Sequence, residues 1–343
     1  MMRLPWFGFR SPTSIGEAAR ILAAEGPQAM LIAGGTDLLP NMKRRHQTPA
    51  TLVSLSRIDV LKKVANGSGA VLGAGLTLNE VVANPAVREK YAGLWQAAAQ
   101  VATVHLRNMG TLGGNLCLDT RCNYYNQNYE WRKAIDFCLK KDGEVCWVAT
   151  ASKRCVATSS TDCAPALISL GASVRLVSAQ GERDVALADL YRNDGIDYIA
   201  RRPDEILTEV KLPPSEGWKS SYWKLRRRGA FDFPVLGVAA AVKTSRDGTV
   251  EEARIALGAV SSRPLLTKGG ELLIGKKLSD DVIAEAGAKV ASAAKPMDNT
   301  DLDLYWRKGV VPEFVGYALR EIRGDDISAT RVRVARHALT DIS

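Results

Sequence analysis

The sequence has few histidines, few aromatic residues and no long apolar run, and each shortage excludes a class of function. Its three histidines stand far apart among 343 residues, so no histidine-based catalytic or metal motif is present. No stretch reaches the roughly 18 apolar residues that a membrane-spanning helix needs. The first ten residues lack the apolar core and cleavage site of a secretory signal. We therefore expect a cytoplasmic protein without a membrane span.

The net charge of +9 does not by itself predict nucleic-acid binding. The basic clusters at 43–45, 201–202 and 226–228 are short and far apart, and no recognition-helix or RNA-binding motif accompanies them. Solvated surfaces, or contacts with an acidic protein, explain such clusters more simply. The sequence also lacks a catalytic triad, a metalloprotease helix and a pair of catalytic carboxylates, so we predict no catalytic residue and no nucleic-acid partner.

Cysteine is absent outside residues 117–163, where all six cysteines of the chain lie. Such confinement indicates a local role in binding a metal, binding a cluster or forming disulfides. Reducing conditions in the cytoplasm disfavour disulfides. Structural zinc sites usually take closely spaced cysteine pairs, and Cys117 with Cys122 is the one tight pair. A cubane iron–sulfur cluster accepts four irregularly spaced thiolates. The residues alone leave these three interpretations open.

Two glycine-rich loops, 33–38 and 111–115, each follow an apolar element. Glycines allow backbone N–H groups to turn toward an anion without an intervening Cβ. One loop on each side of a pyrophosphate is a natural arrangement. Neither loop matches the dinucleotide fingerprint or the Walker loop. Together with the glycines at 72–77, however, the pair favours a nucleotide site over two ordinary turns.

Capping and periodicity predict several elements along the chain. Ser14-x-x-Glu17 is a capping box for a helix that extends to about Ala24. Helical spacing predicts one amphipathic helix over 87–101, and the same reasoning predicts helices over 279–294 and 302–322. Asp162 is predicted to cap a helix that ends at Gly171, before a hairpin that turns at 180–181.

The segments 31–38, 72–75 and 107–116 resemble the FAD-binding medium subunits of the molybdenum hydroxylase family, which includes carbon monoxide dehydrogenase and xanthine dehydrogenase. The resemblance covers nearly the whole chain. It implies an α+β architecture, with a two-lobed FAD-binding fold of the vanillyl-alcohol-oxidase (PCMH) type and a C-terminal α+β domain. The implied units are lobe 1 at 1–57, lobe 2 at 58–215, a CO-dehydrogenase-flavoprotein-like domain at 218–325 and a tail at 326–343.

The same resemblance implies the residues that bind FAD. Asp162 opens a segment similar to the family's Asp-x-Ala-Pro-Ala-Leu helix start, whose aspartate approaches the flavin. Lys224 resembles a lysine of the C-terminal domain that touches the flavin. The full predicted set is Ile32, Ala33, Gly34, Gly35, Thr36, Asp37, Leu38, Thr111, Gly113, Gly114, Asn115, Asp162 and Lys224.

The cysteines lie in an insertion at about 117–160, which is much longer than the family's usual connection between these motifs. It resembles the 4-hydroxybenzoyl-CoA reductase type, whose β-subunit carries an additional 4Fe–4S centre at this place. The resemblance implies a 4Fe–4S cluster in this chain. The predicted ligands are Cys122, Cys138, Cys146 and Cys155, with Cys117 as the main rival of Cys122 and Cys163 as a buried thiol.

The implied function is electron transfer. Electrons from a ferredoxin-type donor would pass through the 4Fe–4S cluster to FAD, and then to the 2Fe–2S and molybdenum centres of partner subunits that dehydroxylate 4-hydroxybenzoyl-CoA. The expected assembly is a dimer of heterotrimers with a molybdenum-cofactor large subunit and a 2Fe–2S small subunit. The predicted docking face for the donor is Arg132, Lys133, Lys140, Lys141, Lys153 and Arg154.

Three alternatives remain at this stage. The chain could be the FAD subunit of another molybdenum hydroxylase, which oxidises an aromatic or aldehyde substrate. It could instead be a zinc-stabilised interaction subunit whose glycine loops are plain turns and bind no flavin. A stand-alone flavin oxidase would be active without partner subunits.

Overall fold

Three β-sheets follow one another along the chain in the computed structural model, which describes residues 3–335. The first sheet is parallel and has the strand order β1-β3-β2. Its elements are β1 (Gly8–Arg10), α1 (Ile15–Glu25), β2 (Ala29–Ile32), α2 (Leu38–Lys43) and β3 (Thr51–Ser54). Buried Ala18, Ala19 and Leu22 pack α1 against this sheet.

The predicted start of α1 is confirmed, with one difference in the capping bonds. The Ser14 hydroxyl accepts a hydrogen bond from the Glu17 backbone N–H. The Glu17 carboxylate accepts from the N–H of Thr13 at 2.9 Å rather than from that of Ser14. Free N–H groups at the helix start are still satisfied by both side chains, as the capping-box pattern requires.

The second sheet is antiparallel, with the order β4-β5-β8-β6-β7. Its last strand, β8, follows the predicted hairpin of β6 and β7, which is confirmed. The elements of this part are β4 (Val64–Asn66), β5 (Ala70–Gly73), α3 (Leu78–Ala83), α4 (Pro85–Lys90), α5 (Ala92–Ala99), α6 (Val104–Arg107), α7 (Leu112–Leu116), α8 (Tyr129–Ala134), α9 (Cys163–Ser169), β6 (Ser173–Ser178), β7 (Gly181–Ala186) and β8 (Ile206–Leu212).

The third sheet is antiparallel, with the order β12-β11-β10-β9, and helices pack on both of its faces. Its core includes Val238, Ile255 and Leu257 from the strands with Ile283 and Phe314 from the helices. The elements are β9 (Trp218–Leu225), β10 (Leu236–Thr244), β11 (Val250–Gly258), β12 (Leu265–Thr267), α10 (Asp280–Ala293), α11 (Leu304–Gly309), α12 (Val311–Arg323) and α13 (Ser328–Ala335).

Two of the predicted helices are wrong in length, and each is interrupted by an identifiable residue. The predicted helix over 87–101 is divided at Tyr91, whose backbone leaves the helical region at φ −133° while its hydroxyl donates to the carbonyl of Pro213 at 2.8 Å. The predicted helix over 302–322 is divided at Val310. Pro312 lies in the first turn of α12, where its missing N–H costs nothing. The helix over 279–294 is confirmed as α10.

The cysteine insertion lies between α7 and α9 and consists mostly of turns around the short helix α8. It has a small core of its own, made of Cys122, Tyr125, Cys138, Cys155 and Ala157. A bond from the Asn123 N–H to the Asn299 carbonyl, at 2.8 Å, fastens it to the C-terminal part of the chain. The insertion is therefore a fixed part of the fold.

None of the helices within residues 3–335 combines the length and the apolar character that crossing a membrane requires. Of the predicted tail at 326–343, helix α13 accounts for Ser328–Ala335, and residues 336–343 lie outside the described part of the chain. The boundaries between the lobes and the C-terminal domain, at 57–58 and 215–218, stay predictions.

Candidate cofactor sites

A cavity of about 870 Å³ opens where the three sheets with their helices meet, a volume typical of cofactor sites. Residues from all three parts of the chain line it, so it exists only in the assembled fold. The predicted FAD residues that line it are Ile32, Ala33, Gly34, Gly35, Thr36, Asp37, Leu38, Thr111, Gly113, Gly114, Asn115 and Asp162. The structure thus brings together residues that are far apart in sequence. Lys224 is not among the lining residues.

The first glycine loop follows β2 and meets the second loop backbone to backbone. A Cβ on Gly34 would overlap the carbonyl oxygen of Met109 and come within 2.9 Å of the Gly110 nitrogen. Gly35 has a φ of +69°, which favours glycine. The backbone N–H groups of Gly34, Gly35 and Thr36 donate to none of the described residues. This loop therefore keeps backbone donors for an anionic ligand.

The second loop, in contrast, uses its glycine N–H groups within the protein. The Gly113 N–H donates to the Ala74 carbonyl at 2.8 Å, and the Gly114 N–H donates to the Thr111 hydroxyl at 3.0 Å. The expectation that both loops direct glycine donors at the ligand is wrong for this loop. Its glycines serve close packing instead, because a Cβ on Gly113 would lie 2.8 Å from that of Ala74.

Asn115 links the second loop to the start of α9. Its side-chain oxygen accepts from the Thr161 hydroxyl at 2.7 Å and from the Cys163 N–H at 3.2 Å. The amide nitrogen of Asn115 donates to none of the described residues and lies on the cavity wall. It is a suitable donor for a bound ligand. Asn115 and Thr161 also satisfy helix N–H groups that Asp162 was predicted to cap.

Asp162 does not cap α9 because its carboxylate forms a buried ion pair. Lys224 Nζ lies 3.0 Å from one carboxylate oxygen, and the Tyr222 hydroxyl donates to the other at 2.7 Å. Lys224 Nζ also donates to the backbone carbonyl of Gln100 at 3.0 Å and to that of Asp232 at 2.9 Å. Burial raises the pKa of Asp162 and lowers the pKa of Lys224, while their mutual attraction opposes both shifts.

This geometry gives Lys224 a different place from the predicted one. Its side chain is 0% exposed, and it lies behind Asp162 rather than on the cavity wall. Asp162, also lining the cavity, stands between the lysine and the space for the ligand. A buried charge must be paired, and Lys224 supplies the pairing that allows a carboxylate to remain in this wall. Its predicted contact with flavin stays a prediction.

Arg121 is a residue of the cavity that the sequence reasoning missed. It belongs to the cysteine insertion, its side chain is 5% exposed, and it forms an ion pair with Asp37 of the first glycine loop. It also donates to the Asn41 amide oxygen at 3.1 Å and packs over the ring of Phe233. Burial lowers the pKa of Arg121 to about 10. The insertion therefore builds part of the larger cavity's wall.

Two further segments of the cavity wall were also missed. The loop at 192–203 contributes Tyr198 and Arg201, and the loop at 231–233 contributes two phenylalanines. Neither loop contains a glycine motif that points to a ligand. Phe231 does have a φ of +62°, and its N–H donates to the carbonyl of Ala102. Such backbone strain is visible only in a structure.

A second, smaller cavity lies in the cysteine insertion, and Cys122, Cys138, Cys146 and Cys155 all line it. Every cysteine of the chain is a free thiol. Cys117 lines the larger cavity instead, and Cys163 is 0% exposed in the core of the second sheet. The structure therefore separates the four predicted ligands from the other two thiols. Their role as ligands stays a prediction.

All four thiols are buried, and backbone N–H groups lie close to two of them, Cys122 and Cys155. Burial raises the pKa of Cys122 to about 12 and that of Cys155 to about 11. The N–H of Ala157 lies 3.4 Å from the Cys155 sulfur. Within residues 3–335, no three cysteine, histidine or acidic side chains converge tightly enough to hold a single metal ion. A cubane cluster binds each thiolate to a different iron, so its ligands stand further apart around a larger group.

Comparisons with known proteins assign the family. The FAD binding domain in molybdopterin dehydrogenase matches residues 5–215, and the CO dehydrogenase flavoprotein C-terminal domain matches residues 220–322. This chain belongs to the FAD-binding subunits of the molybdopterin dehydrogenases. The aldehyde oxidoreductase FAD-binding subunit PaoB of Escherichia coli (strain K12) is 33% identical over 304 residues, which cover 86% of this chain and 92% of that protein.

A second relative and a solved structure agree with this family. The glyceraldehyde dehydrogenase medium chain of Sulfolobus acidocaldarius is 26% identical over 320 residues, which cover 93% of this chain and 99% of that protein. Carbon monoxide dehydrogenase from Hydrogenophaga pseudoflava matches in structure with a TM-score of 0.77 and 25% identity, over 94% of this chain and 99% of that chain. The predicted fold, a PCMH-type FAD-binding unit with a C-terminal α+β domain, is confirmed.

The residues of the larger cavity fit FAD. The first loop offers unoccupied backbone N–H groups, Asn115 offers an amide donor, and Arg201 adds positive charge to the cavity lining. These groups suit a pyrophosphate. Apolar Ile32, Leu38 and Phe233 line the same space and suit the rings. When bound, FAD supplies the ability to exchange electrons, and the protein supplies its position and electrostatic surroundings.

Substituting Gly34 with alanine should abolish flavin binding, because the added Cβ would push the two loops apart. We expect the FAD content of the purified protein to fall at least tenfold. The measurement is flavin released on denaturation, per mole of chain. Gly16→Ala is the matched control, since no atom lies within 4 Å of its added Cβ. Full FAD content in Gly34→Ala would contradict the role of the loop contact.

Lys224→Met should destabilise the fold by about 3–5 kcal/mol, because it leaves a buried carboxylate unpaired. Without its partner, Asp162 has a folded-state pKa further above its unfolded value. The penalty is therefore absent below the unfolded pKa and grows as the pH rises toward the folded one.

The test measures free energies of unfolding at about pH 5 and about pH 8. Lys224→Met should lose more stability at the higher pH. The double variant Asp162→Asn with Lys224→Met carries no unpaired charge, so its loss should not depend on pH in this way. Equal losses of the single variant at both pH values would contradict this account of the pair.

Proposed function

We propose that this chain is the electron-transfer subunit of a molybdenum enzyme that oxidises an aldehyde. The supporting observation is the cavity built by the first glycine loop, Asn115 and Asp162 in a chain of this family. In this function, electrons leave the substrate at the molybdenum centre of a partner subunit and reach FAD in this chain. The chain itself positions FAD and excludes water from it.

The relatives favour oxidation over reduction. The names of the relatives reported above describe an aldehyde oxidoreductase, a glyceraldehyde dehydrogenase and a carbon monoxide dehydrogenase. Two of these three act on aldehydes. The expectation of 4-hydroxybenzoyl-CoA as substrate receives no support from them, and the oxidising alternative fits them better. The resemblance to the reductase type rests on the cysteine insertion, which bears on the cluster and not on the substrate.

A 4Fe–4S cluster on Cys122, Cys138, Cys146 and Cys155 is part of the proposal. Four thiols on one cavity, two of which lie within hydrogen-bonding reach of backbone N–H groups, support it. Binding would hold these thiols as thiolates despite their burial, since metal binding releases the thiol protons. When bound, the cluster would supply one-electron exchange.

The proposed partners are a molybdenum-cofactor large subunit and a 2Fe–2S small subunit. The terms medium chain and FAD-binding subunit, in the relatives' names, describe components of larger enzymes and support this assembly. A dimer of heterotrimers remains the expected stoichiometry.

The ferredoxin docking face has weaker support in the structure. Arg132 is 0% exposed and Lys140 is 6% exposed, so these two side chains cannot meet an acidic partner. They point inward because each pairs with an aspartate. The remaining basic side chains of that set share the surface with acidic Glu130, Asp136, Asp142 and Glu144. A ferredoxin-type partner stays a prediction, and the ion-pair geometry removes part of its electrostatic basis.

The direction and the substrate can be tested on the complex with its partner subunits. Under anaerobic conditions, an aldehyde should bleach the flavin absorbance within one turnover. 4-Hydroxybenzoyl-CoA supplied with a reduced electron donor should not be consumed. The opposite result would contradict the proposal and favour the reductase. In that result the flavin stays oxidised with aliphatic and aromatic aldehydes, and 4-hydroxybenzoyl-CoA is consumed.

The cluster can be tested by substituting each cysteine. Cys122→Ser, Cys138→Ser, Cys146→Ser and Cys155→Ser should each lose most of the iron and the cluster absorbance while they retain FAD. Cys117→Ser and Cys163→Ala should keep both, because neither thiol lines the smaller cavity. Wild-type protein, purified without oxygen, that contains zinc instead of iron would refute the cluster.

A further inference from the structure

The larger cavity and the smaller cavity of the cysteine insertion, here called the cysteine cavity, share one wall. Lys140 lines the cysteine cavity, whereas Asp119 and Tyr198 line the larger cavity. Lys140 Nζ and Asp119 Oδ1 lie 2.8 Å apart, so a single ion pair crosses the wall. The side chains of Lys140 and Asp119 are 6% and 8% exposed. Solvent therefore screens this pair little.

The position of Lys140 is determined by several contacts. Its ammonium group also donates to the Thr120 hydroxyl at 2.7 Å and to the Gly195 carbonyl at 2.6 Å. It lies 4.7 Å from the ring centre of Tyr125 and 5.5 Å from that of Tyr198. Its three protons each have an acceptor, and two aromatic rings flank it. The charge is therefore fixed in place rather than free to move between cavities.

Backbone contacts bring the two cavities close at the same point. A Cβ on Gly195 would lie 2.6 Å from the Cys155 sulfur, and the Gly195 N–H donates to the Cys155 carbonyl at 2.9 Å. Gly195 belongs to the loop that carries Tyr198 into the larger cavity. A cysteine of one cavity and the wall of the other thus belong to one packed unit.

The ion pair has a direction. Its positive residue, Lys140, belongs to the lining of the cysteine cavity, and its negative residue, Asp119, belongs to the lining of the larger cavity. A fixed positive charge stabilises a neighbouring group that gains an electron, and a fixed negative charge destabilises one. In a buried site the effect is stronger than in water, because the effective dielectric constant is lower. Charge and hydrogen bonding around a cluster are established influences on its potential.

We propose that the Lys140–Asp119 ion pair sets the direction of electron flow between the two cofactors, with Lys140 as the positioning residue. It raises the reduction potential of the cluster relative to that of FAD. With both cofactors bound, one electron would move from reduced FAD, which would be oxidised by one electron, to the oxidised cluster, which would be reduced by one. The cluster is thereby the exit for electrons that come from the substrate. This inference rests on the proposed function, because it requires both cofactors.

The reductase direction would be opposed by this arrangement. Electrons that enter at the cluster would have to move toward the negative end of the ion pair.

The test is a redox titration of the purified complex, with the cluster followed by electron paramagnetic resonance and the flavin by absorbance. Lys140→Met keeps the aliphatic stem and removes the charge. It should lower the cluster potential relative to FAD, with about a tenfold change in electron distribution, or about 59 mV for one electron. Lys140→Arg should restore most of the difference. Lys141→Met removes a neighbouring charge whose side chain is 35% exposed, and it should change neither potential.

Asp119→Asn gives an independent signature. It should raise the FAD potential more than the cluster potential, because Asp119 lines the larger cavity. Lys140→Met and Asp119→Asn should thus both reduce the difference in reduction potential between the cluster and FAD. The first should act mainly on the cluster and the second mainly on FAD, which a purely structural role would not produce.

Several results would overturn the inference. An unchanged potential difference in Lys140→Met would do so, and so would loss of iron from both Lys140→Met and Lys140→Gln, since the side chain would then be structural. Wild-type protein without a cluster is a different failure, because it refutes the proposed cluster itself. Iron content of the wild-type protein is therefore measured first.

Discussion

The cofactor cavity depends on the backbone contact between Gly34 and Met109. The first glycine loop follows a parallel strand, and the second segment, more than seventy residues later, forms the start of the short helix α7 rather than a loop. They meet without a side chain between them, because a Cβ at residue 34 would occupy the position of a carbonyl oxygen. This contact joins the first sheet to the second part of the chain.

Much of this site could be predicted from short motifs. The segments 33–38 and 111–115 led to the cavity because glycine loops combine local backbone freedom with a fixed place after an element. The confinement of cysteine led to the second cavity for a similar reason. Capping signals predicted the start of α1, and regular spacing predicted α10. Patterns within a few residues are sufficient where the structure depends on contacts between residues that are close in sequence.

The rest depended on contacts between distant residues. Arg121, Tyr198 and Phe233 carry no motif, and they reach the cavity only because loops from different parts of the chain converge. Lys224 was predicted to touch the flavin, and its side chain is fully buried while its ammonium group donates to Gln100, Asp162 and Asp232. The predicted helix over 87–101 fails at Tyr91, where the backbone leaves the helical region and the side-chain hydroxyl bonds to a carbonyl over a hundred residues away. Periodicity cannot contain such information.

The insertion does more than add a second site. Its first residues supply Arg121 to the larger cavity, and its middle supplies Lys140 to the shared wall. A loop that only displayed cysteines on the surface would need neither contact. Arg121 pairs with Asp37 outside the insertion, whereas Lys140 pairs with Asp119 within it, and these pairs place charges of the insertion beside both cavities. Buried pairs of this kind are costly to form and specific in geometry. Through these pairs, charged residues of the insertion contribute to the electrostatic surroundings of both cavities. The insertion and the flavin-binding loops therefore form one connected site.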